Sequence, residues 1–311
     1  MQVWPKTKLR IHAGVGIAMA AVGIVGALLE AWSPAGVLVT ALAGGLWYAA
    51  NSARYYRRRA LVAEAFPDDW RRILERRVEF YRLLEPDSEA RGRFEDDIRI
   101  FLAEQNIYAA GGPPGSSELE SVEDETRLLI AASAAMLGHG MPNFEWPRMR
   151  DIVVFPRAFD EDYGHGSESD IAGMVHYQGP ILYSQRDLKL GFRRHDGHNV
   201  GLHELAHVLD MADGHADGVP VGAGWASSAP WLEVISDRLK KLRRRRGRYR
   251  HVLRDYAKTN EAELFAVAVE TFFERPRKLA EADPELYGML RDYFGQDPAA
   301  QPQRRRSNKF R

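Results

Sequence analysis

The sequence of 311 residues contains no cysteine. Disulfide bonds, thiolate metal sites and cysteine nucleophiles are therefore excluded, while the redox compartment stays open because a cysteine-free chain tolerates either environment. The chain also lacks a charge bias, since 43 Lys and Arg residues balance 43 Asp and Glu residues. A formal charge of zero gives no global field that would favour nucleic acid or a membrane surface.

Charged residues are also absent from two long stretches near the N-terminus, residues 11–29 and 31–53. Each stretch is long enough for a helix that crosses a bilayer, which needs about 20 apolar residues. Ser33 and Pro34 favour a turn between them. The pattern predicts a transmembrane helical hairpin within residues 1–59, with spans at about 11–30 and 35–52. A cleaved signal peptide and a buried core hairpin are the alternatives.

Basic residues flank this predicted hairpin on both sides, and the connecting turn contains none. The flanking residues are Lys6, Lys8 and Arg10 before it, and Arg54, Arg57, Arg58 and Arg59 after it. The positive-inside rule therefore predicts a multi-pass protein of the cytoplasmic (inner) membrane, whose remaining residues face the cytoplasm.

The rest of the chain has helical and strand-like patterns. Apolar residues recur at helical spacing from residue 60 to about 137, whereas DIVVF (151–155), GMVHY (173–177) and PILYS (180–184) are strand-like. The last two are close enough to form a hairpin around Gln178 and Gly179. Helical segments follow near His203 and over residues 261–274. We expect an α+β domain at residues 60–300, mainly helical with a small β-sheet, and a basic tail at 301–311.

One helical segment carries the motif HELAH at residues 203–207. On a helix, His203 and His207 lie on one face and can share a metal ion, while Glu204 is placed to reach a metal-bound water. The motif alone is a weak signal, because ten histidines make a chance match possible. The apolar character of the helix strengthens it, since buried polar groups need partners.

A catalytic zinc site needs a third protein ligand. Asp213 stands where a metzincin would supply one, but Asp210 replaces the glycine that would turn the chain back. The alternative is a glutamate in the segment at 256–276, whose predicted helix follows Thr259 and Asn260 and ends near Pro276. Both Glu263 and Glu270 lie on one face of that helix, and the residues themselves leave the choice open.

Five stretches resemble the Mlc titration factor A family of zinc-dependent peptidases, whose metal centre is similar to that of anthrax lethal factor. They occur in the order of that family and cover most of the chain after the predicted hairpin. The stretches are FPDDWRRILERRVEFYRLL (66–84), GPILYSQRDL (179–188), HNVGLHELAHVLDMADGHADGVP (198–220), RDYAKTNEAELFAVAVETFFERP (254–276) and PELYGMLRDYFGQDP (284–298).

The resemblance implies a zincin-like, gluzincin-like metallopeptidase with zinc (Zn²⁺) held by His203, His207 and Glu263. It implies that Glu204 is the general base and that Tyr256 stabilises the oxyanion. A peptide or protein substrate is expected, with an aminopeptidase preference as one option. The hairpin is absent from the soluble members of that family, so a membrane-anchored peptidase is expected here.

Two further acidic residues have open roles. Asp210 either orients a zinc ligand or caps the helix and holds the following loop. Glu270 either supports a zinc ligand or is an ordinary surface glutamate.

Basic runs at residues 240–250 and 304–311 suggest further partners. Next to a membrane anchor, anionic lipid is the simplest partner, and a solvated helix face is the alternative. No nucleic-acid fold signature is present, so no nucleic-acid partner is expected. The family resemblance also implies a transcriptional regulator as a partner. The rival function is therefore a zinc-containing binding module that sequesters a regulator at the membrane with little catalysis.

Overall fold

The computed structural model describes residues 1–29, 32–110, 122–141, 143–147, 149, 151–160, 170–176, 179–222, 225–244 and 252–301, without the side chains of 225–229. Contacts between Cα atoms divide the chain into two compact units, Met1–Phe66 and Pro67–Arg311. The basic tail at 304–311 and most of the run at 240–250 lie outside the described residues.

The first unit consists of two helices, α1 (Lys6–Leu28) and α2 (Pro34–Ala63). They pack through small residues, since a Cβ atom on Gly16 would lie 2.7 Å from the carbonyl oxygen of Gly44. Among the described helices, α1 is long and apolar enough to cross a membrane by length and composition. The second helix continues to Ala63, past the predicted span end at residue 52. The membrane hairpin stays a prediction.

The second unit is mainly helical with four short strands. Its elements in chain order are α3 (Asp68–Arg77), α4 (Glu79–Leu83), α5 (Glu89–Glu104), β1 (Ile107–Ala109), α6 (Asp124–Gly138), β2 (Ile152–Phe155), β3 (Gly173–Val175), β4 (Ile181–Ser184), α7 (Gln185–Arg194), α8 (Val200–Asp210), α9 (Trp225–Arg243), α10 (Glu261–Glu274), α11 (Pro276–Ala282) and α12 (Pro284–Phe294). Within the described residues, the 3₁₀ helix Met211–Asp213 follows α8 and the 3₁₀ helix Asp255–Lys258 precedes α10.

The four strands form a mixed sheet in the order β1-β2-β4-β3. The pairs β1/β2 and β2/β4 are parallel, and β3 runs antiparallel to β4 with Met174 opposite Leu182. This arrangement makes β3 an outer strand of the sheet. The predicted hairpin between β3 and β4 is confirmed, although Tyr177 and Gln178 lie outside the described residues.

Helix α8, which carries the HELAH motif, lies in the middle of this unit. All of its residues from Val200 to Asp210 are buried. It packs against α6, α7, α10 and β3, and α6 is itself buried along most of its length. The polar side chains on this helix need partners inside the protein, because they are largely shielded from water.

Two details differ from the sequence-based prediction. Residues 107–109 form β1 within the stretch from residue 60 to about 137, for which no strand was predicted. This strand is only three residues long and depends on hydrogen bonds to the distant β2, which local periodicity does not report. The helical spacing of apolar residues in the same stretch does not reveal the break at Val78, which adopts an extended conformation between α3 and α4.

Candidate metal centre

Two histidine rings project from one face of α8. The helix begins at Asn199, whose side-chain oxygen accepts a hydrogen bond from the backbone N–H of Leu202 at 3.3 Å. One turn of helix then brings the Nε2 atoms of His203 and His207 to 3.2 Å from each other. Two ligands on a tetrahedral zinc ion lie roughly 3.3–3.5 Å apart. The pair therefore already has the spacing that a shared metal ion requires.

A carboxylate from α10 completes a group of three ligand atoms. The side chain of Asn260 accepts a hydrogen bond from the backbone N–H of Glu263 at 2.8 Å and fixes the start of α10. Oε2 of Glu263 lies 3.1 Å from Nε2 of His203 and 3.5 Å from Nε2 of His207. Although burial opposes its ionisation, hydrogen bonds to the two histidines lower the pKa of Glu263 to about 2. Two imidazole nitrogens and one carboxylate oxygen suit a divalent cation such as zinc.

Glu270 contacts Nδ1 of His203, the ring nitrogen that does not face the other two ligand atoms. It is fully buried, and its Oε1 atom lies 2.7 Å from Nδ1 of His203. Its Oε2 atom accepts a hydrogen bond from the backbone N–H of Asn199 at 2.5 Å, and Arg254 forms an ion pair with it. A carboxylate at Nδ1 favours the tautomer that leaves Nε2 free to bind a metal. The surface alternative for Glu270 is wrong.

Glu204 lies beside the candidate ligands, and its side chain is buried. Burial raises the pKa of its carboxyl to about 8, and Glu263 and Glu270 add to this shift. The backbone of β3 passes close to the same carboxylate at Gly173, where an added Cβ atom would lie 2.5 Å from Oε1 of Glu204. Sequence reasoning missed Gly173, because this approach depends on packing between distant segments.

Tyr256 belongs to the 3₁₀ helix Asp255–Lys258, which precedes α10. Its ring centroid lies 6.0 Å from that of His203, and the side chain is half-exposed. Burial and the negative charge of Glu263 raise the pKa of the Tyr256 hydroxyl, which therefore keeps its proton at neutral pH. It is available as a hydrogen-bond donor near the three ligand atoms.

These side chains have the composition of a hydrolytic metal centre, and comparison with known proteins agrees. The sequence model of the glucose-regulated metallo-peptidase M90 family matches residues 52–295. The chain belongs to this family. Membership makes the protein a metallopeptidase-like protein and implies a metal ion, for which His203, His207 and Glu263 can provide the site.

Relatives of the M90 chain support the same family. An uncharacterized protein of Synechocystis sp. is 31% identical over 284 residues, which is 85% of this chain and 98% of that protein. Mlc titration factor A of Cronobacter sakazakii is 31% identical over 170 residues, 50% of this chain and 62% of that protein. Mlc titration factor A of Salmonella gallinarum is 29% identical over 215 residues, 64% of this chain and 76% of that protein. The resemblance seen in the sequence is confirmed.

Two aspartates close in sequence to His207 form no hydrogen bond with the candidate ligands among the described residues. Asp213 is half-exposed and accepts the backbone N–H of His215 at 3.0 Å, so it is not the third ligand. Asp210 is fully buried, and burial raises its pKa to about 7 against the opposing charge of His207. No hydrogen bond joins Asp210 to His207 among the described residues. Orientation of His207 by Asp210 therefore stays a prediction.

A cavity of about 280 Å³ opens beside the M90 centre. Its walls include the edge of the sheet at residues 170–173, together with His203, Glu204 and Tyr256. It also includes His198 and Arg254, which sequence reasoning did not select. Burial lowers the pKa of His198, and the charge of Arg254 acts in the same direction, so this imidazole is neutral. The cavity gives the candidate metal site an open side that is lined by polar groups.

Proposed function

We propose that this chain is a membrane-anchored zinc metallopeptidase that hydrolyses peptide bonds with Glu204 as the general base. The observation that carries the proposal is the triangle of the buried His203 and His207 with the partly buried Glu263, with edges of 3.1 to 3.5 Å, beside a buried Glu204. A binding module has no need of a base at that position.

The three ligand side chains would hold zinc, and Glu270 would keep His203 in the tautomer that binds it. Bound zinc supplies a Lewis acid that polarises the scissile carbonyl and activates water near neutral pH. The ion pair with Arg254 keeps Glu270 anionic inside the protein, which strengthens its hydrogen bond to His203.

Glu204 would transfer the proton of the reaction. Its carboxylate takes a proton from the attacking water and then donates it to the nitrogen of the leaving amine as the peptide C–N bond breaks. The hydroxyl of Tyr256 would donate a hydrogen bond to the oxygen that becomes negative on the substrate, an interaction of about 3–4 kcal/mol in other hydrolases.

The outer strand β3 would bind the substrate in an extended conformation. Its residues Gly173–Val175 pair with β4 on one side only within the described sheet. A peptide that adds to the other side would place its backbone along the cavity and next to Glu204. An aminopeptidase preference for the N-terminal residue would require a group that closes one end of this cavity.

The first unit would anchor the chain in the cytoplasmic membrane as a two-span hairpin. Large apolar side chains on both helices face outward, with Ile17 69% exposed, Leu28 77% and Leu46 70%. Water is an unfavourable environment for such a surface, and hydrocarbon is a favourable one. Close contact at Gly16 and Gly44 suits helices that pack within lipid. The flanking basic residues would place residues 60–300 in the cytoplasm. Anionic lipid stays a candidate partner for the basic run at 240–250.

The test uses the full-length chain in detergent. Bound zinc is measured by plasma mass spectrometry, and cleavage is measured on a library of internally quenched peptides. We expect about one zinc ion per wild-type chain and cleavage, retention of zinc without cleavage in Glu204→Gln, and loss of zinc in Glu263→Ala. Equal cleavage by wild type and Glu204→Gln would contradict the proposal.

The name of two relatives, Mlc titration factor A, favours a second candidate function. In that case the chain is a zinc-containing module that sequesters a transcriptional regulator at the membrane with little catalysis. A wild-type chain that binds zinc but cleaves no library peptide would favour this candidate.

A further inference from the structure

Arg243, the last residue of α9, contacts the segment that carries Tyr256. Its Nε atom donates a hydrogen bond to the carbonyl oxygen of Lys258 at 2.9 Å, and its Nη2 atom donates to that of Thr259 at 2.7 Å. The two acceptors are consecutive carbonyls, so one planar guanidinium bridges them. The sequence assigned this residue only to a basic run that faces solvent or lipid.

The bridged carbonyls belong to the short connection between Tyr256 and the ligand Glu263. Within it, the backbone N–H and the hydroxyl of Thr259 both donate to the carbonyl oxygen of Tyr256, at 3.0 and 2.8 Å. The next residue is Asn260, which fixes the start of α10. Arg243 therefore connects α9 to this segment by hydrogen bonds, while Thr259 and Asn260 form hydrogen bonds within the segment.

The helix that presents Arg243 is itself fixed in the second unit. Arg238 of α9 is buried and donates two hydrogen bonds to the carboxylate of Asp283, at 2.6 and 3.1 Å. The side chains of Leu239 and Leu242 are buried in the core. A helix fixed in this way can determine the position of a turn that it contacts at its end.

Arg243 differs from the basic residues next to it. Lys241 pairs with Asp237 on the same helix at 2.6 Å. Arg244 is exposed and makes no side-chain hydrogen bond with the described part of the chain. Only a guanidinium presents two donors in a fixed plane, so a lysine at position 243 would reach one carbonyl at a time.

We propose that Arg243 is a positioning residue that holds the turn of Tyr256 so that the tyrosine hydroxyl reaches the reacting carbonyl. This rests on the proposed function, since Tyr256 contributes only if the chain hydrolyses peptides. Within the described residues, the hydrogen bonds of Arg243 go to the backbone of this turn and not to His203, His207 or Glu263. A displacement of about 1 Å at a catalytic group can lower a rate up to about 100-fold, so a loosened turn is sufficient to reduce kcat.

The first experiment compares full-length Arg243→Ala, Arg243→Lys and the matched control Arg244→Ala in detergent. Amide hydrogen exchange, followed by mass spectrometry, measures protection of residues 253–264. We expect faster exchange there in Arg243→Ala, partial recovery in Arg243→Lys, and wild-type exchange in Arg244→Ala. Wild-type exchange in Arg243→Ala would overturn the contact, whatever the activity of the enzyme.

The second experiment measures kcat, KM and zinc content on the peptide library for Arg243→Ala, Tyr256→Phe and the double variant. We expect Arg243→Ala to lower kcat roughly three- to tenfold with unchanged zinc content, and to have no further effect when Tyr256 is already Phe. The same loss in both backgrounds, or a loss of zinc, would overturn the positioning role. A wild type that cleaves nothing would instead overturn the proposed function.

Discussion

Substitution of Gly173 by alanine should disable Glu204 without removing the metal ligands. The added Cβ atom would lie 2.5 Å from Oε1 of Glu204 and 2.6 Å from a methyl carbon of Val200. Ordinary contact begins near 3.5 Å, so one of these groups must move by about 1 Å. Gly173 does not have a positive φ angle, so the backbone itself accepts alanine. The added methyl group would therefore disturb the packing between β3 and α8.

Two magnitudes follow from this displacement. Overpacking of this kind costs about 1–3 kcal/mol of stability, which lowers the melting temperature by roughly 2–4 °C per kcal/mol in a unit of this size. Displacement of the base by about 1 Å is expected to lower kcat on the order of 10- to 100-fold. Zinc content should stay near that of the wild type, because His203, His207 and Glu263 are not displaced.

The assay measures kcat, zinc content and melting temperature for Gly173→Ala next to Gly288→Ala. Gly288 lies in α12, and among the described residues no heavy atom lies within 4 Å of the position of its Cβ. Alanine there should be neutral or stabilising by up to about 1 kcal/mol. Wild-type kcat in Gly173→Ala would refute the inference that β3 approaches the general base during catalysis.

The remaining predictions concern the electrostatics of the second unit. Glu270→Gln should weaken zinc binding about 10- to 100-fold, because His203 loses a charged hydrogen-bond partner; competition with a chromogenic chelator measures this. Arg238→Ala should lower the free energy of unfolding by about 3–5 kcal/mol in urea titrations, because the buried carboxylate of Asp283 is left without its cation. Although burial opposes it, hydrogen bonds from Arg71 and Tyr81 hold the pKa of Glu95 below its usual range. The stabilisation that results is fully present above the unfolded-state pKa of about 4.3, and it is lost as the pH falls through the lower pKa of the folded state. The free energy of unfolding should therefore depend less on pH below about pH 4.5 in Glu95→Gln than in the wild type.

The local parts of the centre could be predicted from the sequence, because they depend on helix geometry. The spacing of His203 and His207 follows from one helical turn, and Asn260 begins α10 as expected from its side chain. The strands at 152–155 and 181–184 also followed from their patterns. In each case, neighbours within a few residues determine the result.

The remaining parts depend on contacts between distant segments, which one sequence does not report. Glu263 was chosen over Asp213 by family resemblance, and packing of α10 against α8 is what brings it to the histidines. Gly173 reaches Glu204 only through the position of β3 in the sheet. Arg243 looked like part of a solvated basic run, because its acceptors are backbone carbonyls that carry no sequence signal.

Glu270 and Glu274 of α10 both bond to Asn199 at the start of α8, at 2.5 and 3.1 Å. These hydrogen bonds join α8 and α10 directly, without a metal ion between them. Small zinc modules unfold when their metal is removed, because little else holds them together. Here we expect a chelator to remove the metal and to leave the ligands assembled. Activity would then follow the supply of free zinc reversibly, with no refolding step between the inactive and active chains.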